Sequence, residues 1–178
     1  ASMRRIAKAI NFGIIYGMGP HKLSEELGID SQTAKNYISA YYERYRGVAQ
    51  YREEIIASAR ERGYVTTLFN RRRYLPDIHH KNRIIRGEAE RMAINTPIQG
   101  TAADLIKKAM IRIHGRLLGE GFKTRMLLQV HDELVFEVPE PEIERVSPLI
   151  REEMEGVFPL SVPLQVDIKS GRNWDEAH

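Results

Sequence analysis

Apolar positions recur at helical spacing over most of this chain and switch to strict alternation in two places, near residues 64–75 and 126–138. In the first segment, Arg4 to Tyr16, Ile6, Ile10 and Ile14 share one helical face. Arg4, Lys8, Phe12 and Tyr16 form a second stripe about 200° round. Gly17-Met18-Gly19-Pro20 breaks this helix, and Pro20 suits the opening of a short helix, His21 to Leu27, that stops at Gly28. Ser31 is expected to cap a longer helix on which Tyr37, Ile38, Tyr41, Tyr42 and Tyr45 recur as a core face. Gly47 interrupts it, and Val48, Tyr51, Ile55 and Ala59 carry a third helix to Gly63.

A small hairpin is expected next, Tyr64 to Phe69 against Arg73 to Leu75, turning at Asn70-Arg71. A helix from Asn82 to Ile94 should end before Pro97. Thr101 and Asp104 match a capping box, so a new helix with Ile106, Ala109, Met110, Ile113 and Leu117 on its buried face is expected to run to Gly119. Met126, Leu128 and Val130 then alternate with Leu127 and Gln129, and Leu134, Phe136 and Val138 with Glu133 and Glu137. The two runs predict a hairpin turning at His131-Asp132. Ile143, Val146, Ile150 and Met154 predict a helix with Pro148 as a kink or late start. Residues 163–168 read as a last strand, and 171–178 as a polar tail. Helices laid over a small antiparallel sheet make this an α+β chain. No repeat or low-complexity tract interrupts it.

Composition narrows the class. A chain of 178 residues can bury a real core, and 42% hydrophobic with 29% charged residues is typical of globular proteins. No apolar run approaches the roughly 20 residues that span a bilayer, so no membrane partner is expected. The lack of cysteine excludes a disulfide framework and fits a reducing, cytoplasmic interior. The net charge of +3 conceals two unlike halves. Residues 1–100 hold 17 Lys and Arg against 10 Asp and Glu, and residues 101–178 hold 10 against 14. The basic half suits a polyanion.

Three stretches carry candidate chemistry. On the first helix, the cations Arg4 and Lys8 suit a triphosphate, and the rings of Phe12 and Tyr16 suit a sugar and a base. The same stripe also fits a surface helix that merely covers its neighbours. The run Arg71-Arg72-Arg73, with Lys81, Arg83 and Arg86 nearby, is a candidate phosphate patch. Asp132 and Glu133 at a hairpin tip suit a hard divalent cation, or else form a solvated turn. His79-His80 makes a poor metal pair, because adjacent histidines point different ways. A rival function also stands: Leu23 to Ile29 leading into Thr33 to Ile38 has the form of a DNA-binding helix-turn-helix, although its second helix offers only Lys35 as a cation.

Taken together, the run from Arg4 to Gly17 and Gln129-Val130-His131-Asp132-Glu133 resemble two signature motifs of the family A DNA polymerases, the bacterial DNA polymerase I group. The resemblance continues through residues 95–104 and the closing Asn173-Trp174-Asp175-Glu176-Ala177-His178, in order along nearly the whole chain. It implies a fingers subdomain over 1–95, with its mobile helix at 4–16, and the C-terminal part of a palm over 96–178. It further implies that Arg4 and Lys8 hold an incoming deoxynucleoside triphosphate, that Phe12 packs near its sugar, and that Tyr16 sits by the nascent base pair. Arg91, Asn95 and Gln99 would contact primer-template DNA. His131 would lie beside the primer end, and Asp132, with Glu133 close by, would bind Mg²⁺ in a two-metal nucleotidyl transfer. A bacterial, cytoplasmic, nucleoid-associated enzyme of DNA replication and repair is the expected parent.

One family element is missing. The strand written Asp-Tyr-Ser-x-x-Glu, which brings a second essential carboxylate, does not occur: the aspartates are Asp30, Asp77, Asp104, Asp132, Asp167 and Asp175, none in that context. The chain is therefore expected to be a C-terminal portion of a longer polymerase, inactive alone, with an unpaired sheet edge prone to self-association.

Overall fold

The computed structural model describes residues 3–177, without the side chains of Arg5 and Ala9. The fold is α+β, mostly helical with two small antiparallel sheets. Two compact units divide it, Ala1–Thr101 and Ala102–His178.

In the first unit, α1 (Met3–Ile15) is followed by α2 (Pro20–Leu27), α3 (Ser31–Arg44) and α4 (Arg46–Arg62). Gly28 and Gly63 end α2 and α4 in the left-handed conformation, with φ of 66° and 75°, as their positions in the sequence lead one to expect. The cap of α3 is Asp30 rather than Ser31: its carboxylate accepts the amides of Gln32 and Thr33, and the Thr33 hydroxyl, bonded to the other oxygen, holds its pKa below the usual range. The break between α3 and α4 falls at Tyr45 instead of Gly47. The tyrosine face is core only in part, with Tyr41 buried and Tyr37 and Tyr45 nearly half exposed.

β1 (Tyr64–Thr66) and β2 (Arg72–Tyr74) form the first sheet, Val65 opposite Arg73. The strands are shorter than their apolar pattern suggests because Thr67 closes the turn early. Its hydroxyl accepts the amides of Phe69 and Arg71, and Asn70 takes φ of 59°. Val65, Leu75 and Ile78 pack with Ala59, Ala89 and Ala93 into the core beneath.

The largest departure from expectation follows. Instead of two helices separated at Pro97, one helix, α5 (Arg83–Gly119), runs through the proline. An interior proline deletes one amide donor and crowds the preceding turn, at a cost of about 3 kcal/mol. Tertiary contacts offset that cost. The Tyr51 hydroxyl donates to the Ile94 carbonyl at 2.9 Å, and Arg71 Nη2 donates to the Gly100 carbonyl at 3.1 Å. Thr101 is no helix cap: its hydroxyl accepts the Leu68 amide at 3.0 Å.

The second unit takes α5 from residue 102, the hairpin β3 (Arg125–Val130) and β4 (Glu133–Glu137), α6 (Ile143–Glu155) and a closing turn, α7 (Trp174–Ala177). Ala109, Ile113 and Leu117 meet Val146, Leu149, Ile150 and Val157 in its core, and Met126, Leu134 and Phe136 pack on them from the hairpin. α6 starts at Ile143 and continues through Pro148. Residues 163–168 keep the side-chain alternation of a strand, with 164, 166 and 168 half-buried, yet belong to no ladder. A strand exists only with a partner; here the Val166 amide donates instead to the Glu155 carboxylate at 2.9 Å. The polar tail is partly helical, because Asn173 caps the amide of Glu176 while Glu176 accepts that of Arg172.

At Gly100 helix and hairpin approach closely. A Cβ there would lie 2.7 Å from Thr67 Cγ2. Gly→Ala inside a helix ordinarily gains about 1 kcal/mol. At this site overpacking reverses the sign, and we expect Gly100→Ala to destabilise by about 1–2 kcal/mol in thermal or urea denaturation. Adding Thr67→Ser, which removes the obstructing methyl and keeps the hydroxyl, should restore the loss; a stabilising single variant would refute the close contact.

Candidate nucleotide and nucleic-acid interface

α1 presents its stripe as its spacing requires. Arg4, Lys8 and Phe12 are exposed, Phe12 by 53%, and Tyr16 is half-buried. Phe12 and Tyr16 stack with ring centroids 6.3 Å apart, giving the carboxyl end of the helix a continuous aromatic surface beyond two cations. The opposite face is buried only at its end: Ile14 is fully buried, Ile10 partly, and Ile6 is 41% exposed. The Tyr42 hydroxyl reaches the Ile14 carbonyl at 3.4 Å, and burial pushes the Tyr42 pKa up.

Gly17 turns the chain off α1 with φ of 80°, and a side chain there would meet Arg91 Cγ at 3.2 Å and Ile94 Cδ1 at 3.5 Å. The end of the first motif is thus brought against α5 beside Arg91. Arg91, Asn95 and Gln99 lie four residues apart along that helix. Arg91 and Gln99 are exposed, and Asn95 is half-buried with a buried Oδ1 that accepts no hydrogen bond among the described residues. A buried acceptor without a donor is costly, and a donor from a bound partner would relieve it.

The three arginines of the second candidate patch are turned to different internal partners. Arg71 bonds the Gly100 carbonyl, and Arg72 lies over the Tyr64 ring at 4.7 Å. Arg73 reaches Thr96 Oγ1 at 3.4 Å and Met92 Sδ at 3.1 Å. His79 and His80 likewise diverge, the first to the Arg60 carbonyl and the second to the Asn82 amide. The α2–α3 pair has the expected left-handed glycine between its helices, but α3 carries no cation other than Lys35 before Arg44.

In the second unit the predicted hairpin is present, with Val130 opposite Glu133 and His131-Asp132 as its two-residue turn. His131 has φ of 54°, and Asp132 does not share the positive φ. That is the sign pattern of a type II′ turn, whose first position normally belongs to glycine. A non-glycine residue there costs about 1–2 kcal/mol, offset in part by the Gln129 side chain donating to the His131 carbonyl at 2.8 Å. His131, Asp132 and Glu133 are all exposed. A register shift between Met126 and Leu128 leaves Leu127 and Leu128 both facing solvent, where alternation alone would bury Leu128.

The contacts that hold α5 around these residues were not marked in the sequence. Tyr51 reads there as a helix position and Thr67 as part of a strand, while Thr96 and Gly100 fall within the 95–104 run that carries the resemblance.

Residues 1–176 match DNA polymerase family A, and the chain belongs to that family. It is 51% identical over 177 residues to DNA polymerase I of Streptococcus pneumoniae serotype 4, 99% of this chain and 20% of that protein. It is 52% identical over 176 residues to DNA polymerase I of Bacillus caldotenax, again 99% and 20%. The chain thus spans about a fifth of the length of these relatives. Among solved structures it superposes with a TM-score of 0.94 on the POL domain of Pol1 from M. smegmatis in complex with DNA primer-template and dNTP, at 45% identity, covering 98% of this chain and 31% of that one.

The root of the hairpin is fixed by Glu142, which accepts the Lys123 amide at 2.9 Å and the Thr124 amide and hydroxyl at 2.9 and 2.7 Å. These donors, the Lys123 amide first, hold its carboxyl below the ordinary value of 4.5. A lowered folded-state pKa adds stability that is present above about 4.5 and is lost as pH falls through the depressed value. Glu142→Gln should therefore melt several degrees below the parent at neutral pH, with the gap closing in acid. A gap that is constant with pH in a calorimetric series would show that the carboxylate charge is not what holds the hairpin.

Proposed function

We propose that this chain is part of a DNA-directed DNA polymerase, in which α1 binds the incoming deoxynucleoside triphosphate, the Arg91-Asn95-Gln99 stripe faces primer-template, and the His131-Asp132-Glu133 tip lies at the primer end. The observation that carries the reading is the exposed stripe on α1: two cations, then two stacked rings, on one helix of a family A chain. The structural neighbour bound to primer-template and dNTP supports the same partners. In this reading residues 1–95 are fingers and 96–178 part of a palm. In the reaction the primer 3′ hydroxyl gives up its proton to solvent, its oxygen bonds to the α-phosphorus as the bond to the α–β bridging oxygen breaks, and pyrophosphate leaves. Arg4 and Lys8 stabilise the negative charge that grows on that leaving group. Phe12 and Tyr16 supply apolar surface for sugar and base.

The Mg²⁺ pair that this chemistry uses does not fit the donors of this chain alone. Asp132 and Glu133 are adjacent carboxylates, and no group of three metal-ligating side chains occurs among the described residues. Mg²⁺ keeps several waters and is held by one or two carboxylates together with substrate phosphates, so this adjacent pair offers protein donors for one ion of the two and leaves the second without its own. Completion of the site falls to carboxylates that this sequence does not contain, so the 178-residue chain by itself is expected to bind nucleotide without extending primers.

Two measurements test these points. Titration with inorganic triphosphate and with a dNTP should show Arg4→Ala and Lys8→Ala each weakening both ligands about tenfold or more, the scale of one charged hydrogen bond, with Phe12→Ala weakening the dNTP alone. Retention of triphosphate affinity in the Arg4/Lys8 double variant would sink the assignment. In primer extension with Mg²⁺ no product should form; template-directed incorporation that Asp132→Ala abolishes would overturn the inactivity.

The outer edges of β3 and β4 have no ladder partner among the described residues, and Leu127 and Leu128 are exposed on β3. Edge-to-edge association follows from that arrangement. Sedimentation equilibrium should show mass rising with concentration, against which a strict monomer throughout would decide.

A further inference from the structure

We infer that the β1–β2 hairpin and Tyr51 form a brace that fixes α5 on both sides of Pro97, and that Arg71 and Arg73 are positioning residues for the DNA-facing stripe instead of phosphate contacts. The inference rests on the proposed role of Arg91, Asn95 and Gln99.

Pro97 lies between Asn95 and Gln99. It withholds the amide that would bond the Ala93 carbonyl, so the helix is weakest between two residues whose spacing must be kept. Every brace falls within four residues of it. Tyr51 holds the Ile94 carbonyl, Arg73 the Thr96 hydroxyl, Arg71 the Gly100 carbonyl, and the Leu68 amide the Thr101 hydroxyl. Positions 92, 96 and 100 form one helical stripe against the hairpin, and 91, 95 and 99 form the next, about 100° round. Gly100 without a side chain lets Thr67 close on that stripe. From the hairpin, the Arg71 and Arg73 guanidinium groups are aimed at α5, and the Arg72 guanidinium is laid on a ring. Arg73 reaches two separate acceptors with its two terminal nitrogens, a geometry that a lysine ammonium does not reproduce, whereas lysine keeps the charge of a phosphate contact.

That difference provides the test. Primer-template affinity of the 178-residue chain is measured over a series of salt concentrations for Arg73→Lys, Arg73→Ala and Tyr51→Phe, each also combined with Gln99→Ala. The brace predicts that all three single variants weaken binding about tenfold with an unchanged salt slope, and that the loss shrinks well below that once Gln99, one of the residues it positions, is gone. A phosphate contact instead leaves Arg73→Lys close to the parent and lowers the slope by about one in Arg73→Ala. A loss that adds in full to that of Gln99→Ala marks a general packing defect and also overturns the inference. Amide exchange from Ile98 to Thr101 gives a readout free of DNA: it should quicken in Arg73→Lys and Tyr51→Phe, and unchanged protection ends the brace. If the parent chain binds no primer-template, the proposed function fails, and the exchange data decide the brace alone.

Discussion

The passage of α5 through Pro97 is the constraint on which the first unit depends. Left to local preference, a helix stops ahead of a proline, and an interior proline costs about 3 kcal/mol. No single contact here is of that size: a neutral hydrogen bond nets roughly 1 kcal/mol. Continuity therefore requires several together, and the structure supplies them from α4 through Tyr51 and from the β1–β2 hairpin through Leu68, Arg71 and Arg73. The short sheet has few apolar residues of its own and is held by the same contacts, with Thr67 buried against Gly100. Helix and hairpin stabilise each other, and neither is explained by its own residues.

What could be read from the sequence divides along that line. Gly28 and Gly63 end helices because the backbone itself needs a left-handed residue, and the hairpin at 125–137 follows from two-residue periodicity with apolar residues on its core face. The exposed stripe on α1 likewise follows from four-residue spacing. The failures are cases in which a distant partner decides. Thr101 and Asp104 have the local form of a capping box, and only Leu68, 33 residues away, shows that the hydroxyl is used otherwise. Residues 163–168 alternate like a strand, but alternation specifies a face and cannot supply a ladder. Leu128 was expected inside until the register shift beside it is known. Asp30 and Ser31 compete as neighbouring caps, and the carboxylate wins because it accepts two amides and a hydroxyl at once.

The two ends of the candidate chemistry are built on unlike principles. The cation and aromatic stripe of α1 needs only a regular helix, since spacing by itself aligns Arg4, Lys8, Phe12 and Tyr16. Its placement beside Arg91 runs through Gly17, where a left-handed φ would strain any side chain and a Cβ would crowd Arg91 Cγ at 3.2 Å. The charge balance of the sequence follows the same division, with an excess of cations in the first hundred residues and a smaller excess of carboxylates after them.

The carboxylate tip, by contrast, is held against local preference. Glycine at position 131 would relieve the positive φ, and glycine or asparagine is the usual occupant of such turns. Histidine instead places a ring at the point where two strands reverse, directly before Asp132 and Glu133. Core packing does not require it, because His131 is exposed, and the ladder does not require it, because the register closes at Val130 and Glu133. The far end of the hairpin is anchored by Glu142, which accepts from Lys123 and Thr124, with the exposed Arg125–Glu137 ion pair adding little. The tip thus carries backbone strain that neither the core nor the ladder accounts for, and the hydrogen bonds at the root hold the hairpin independently of it.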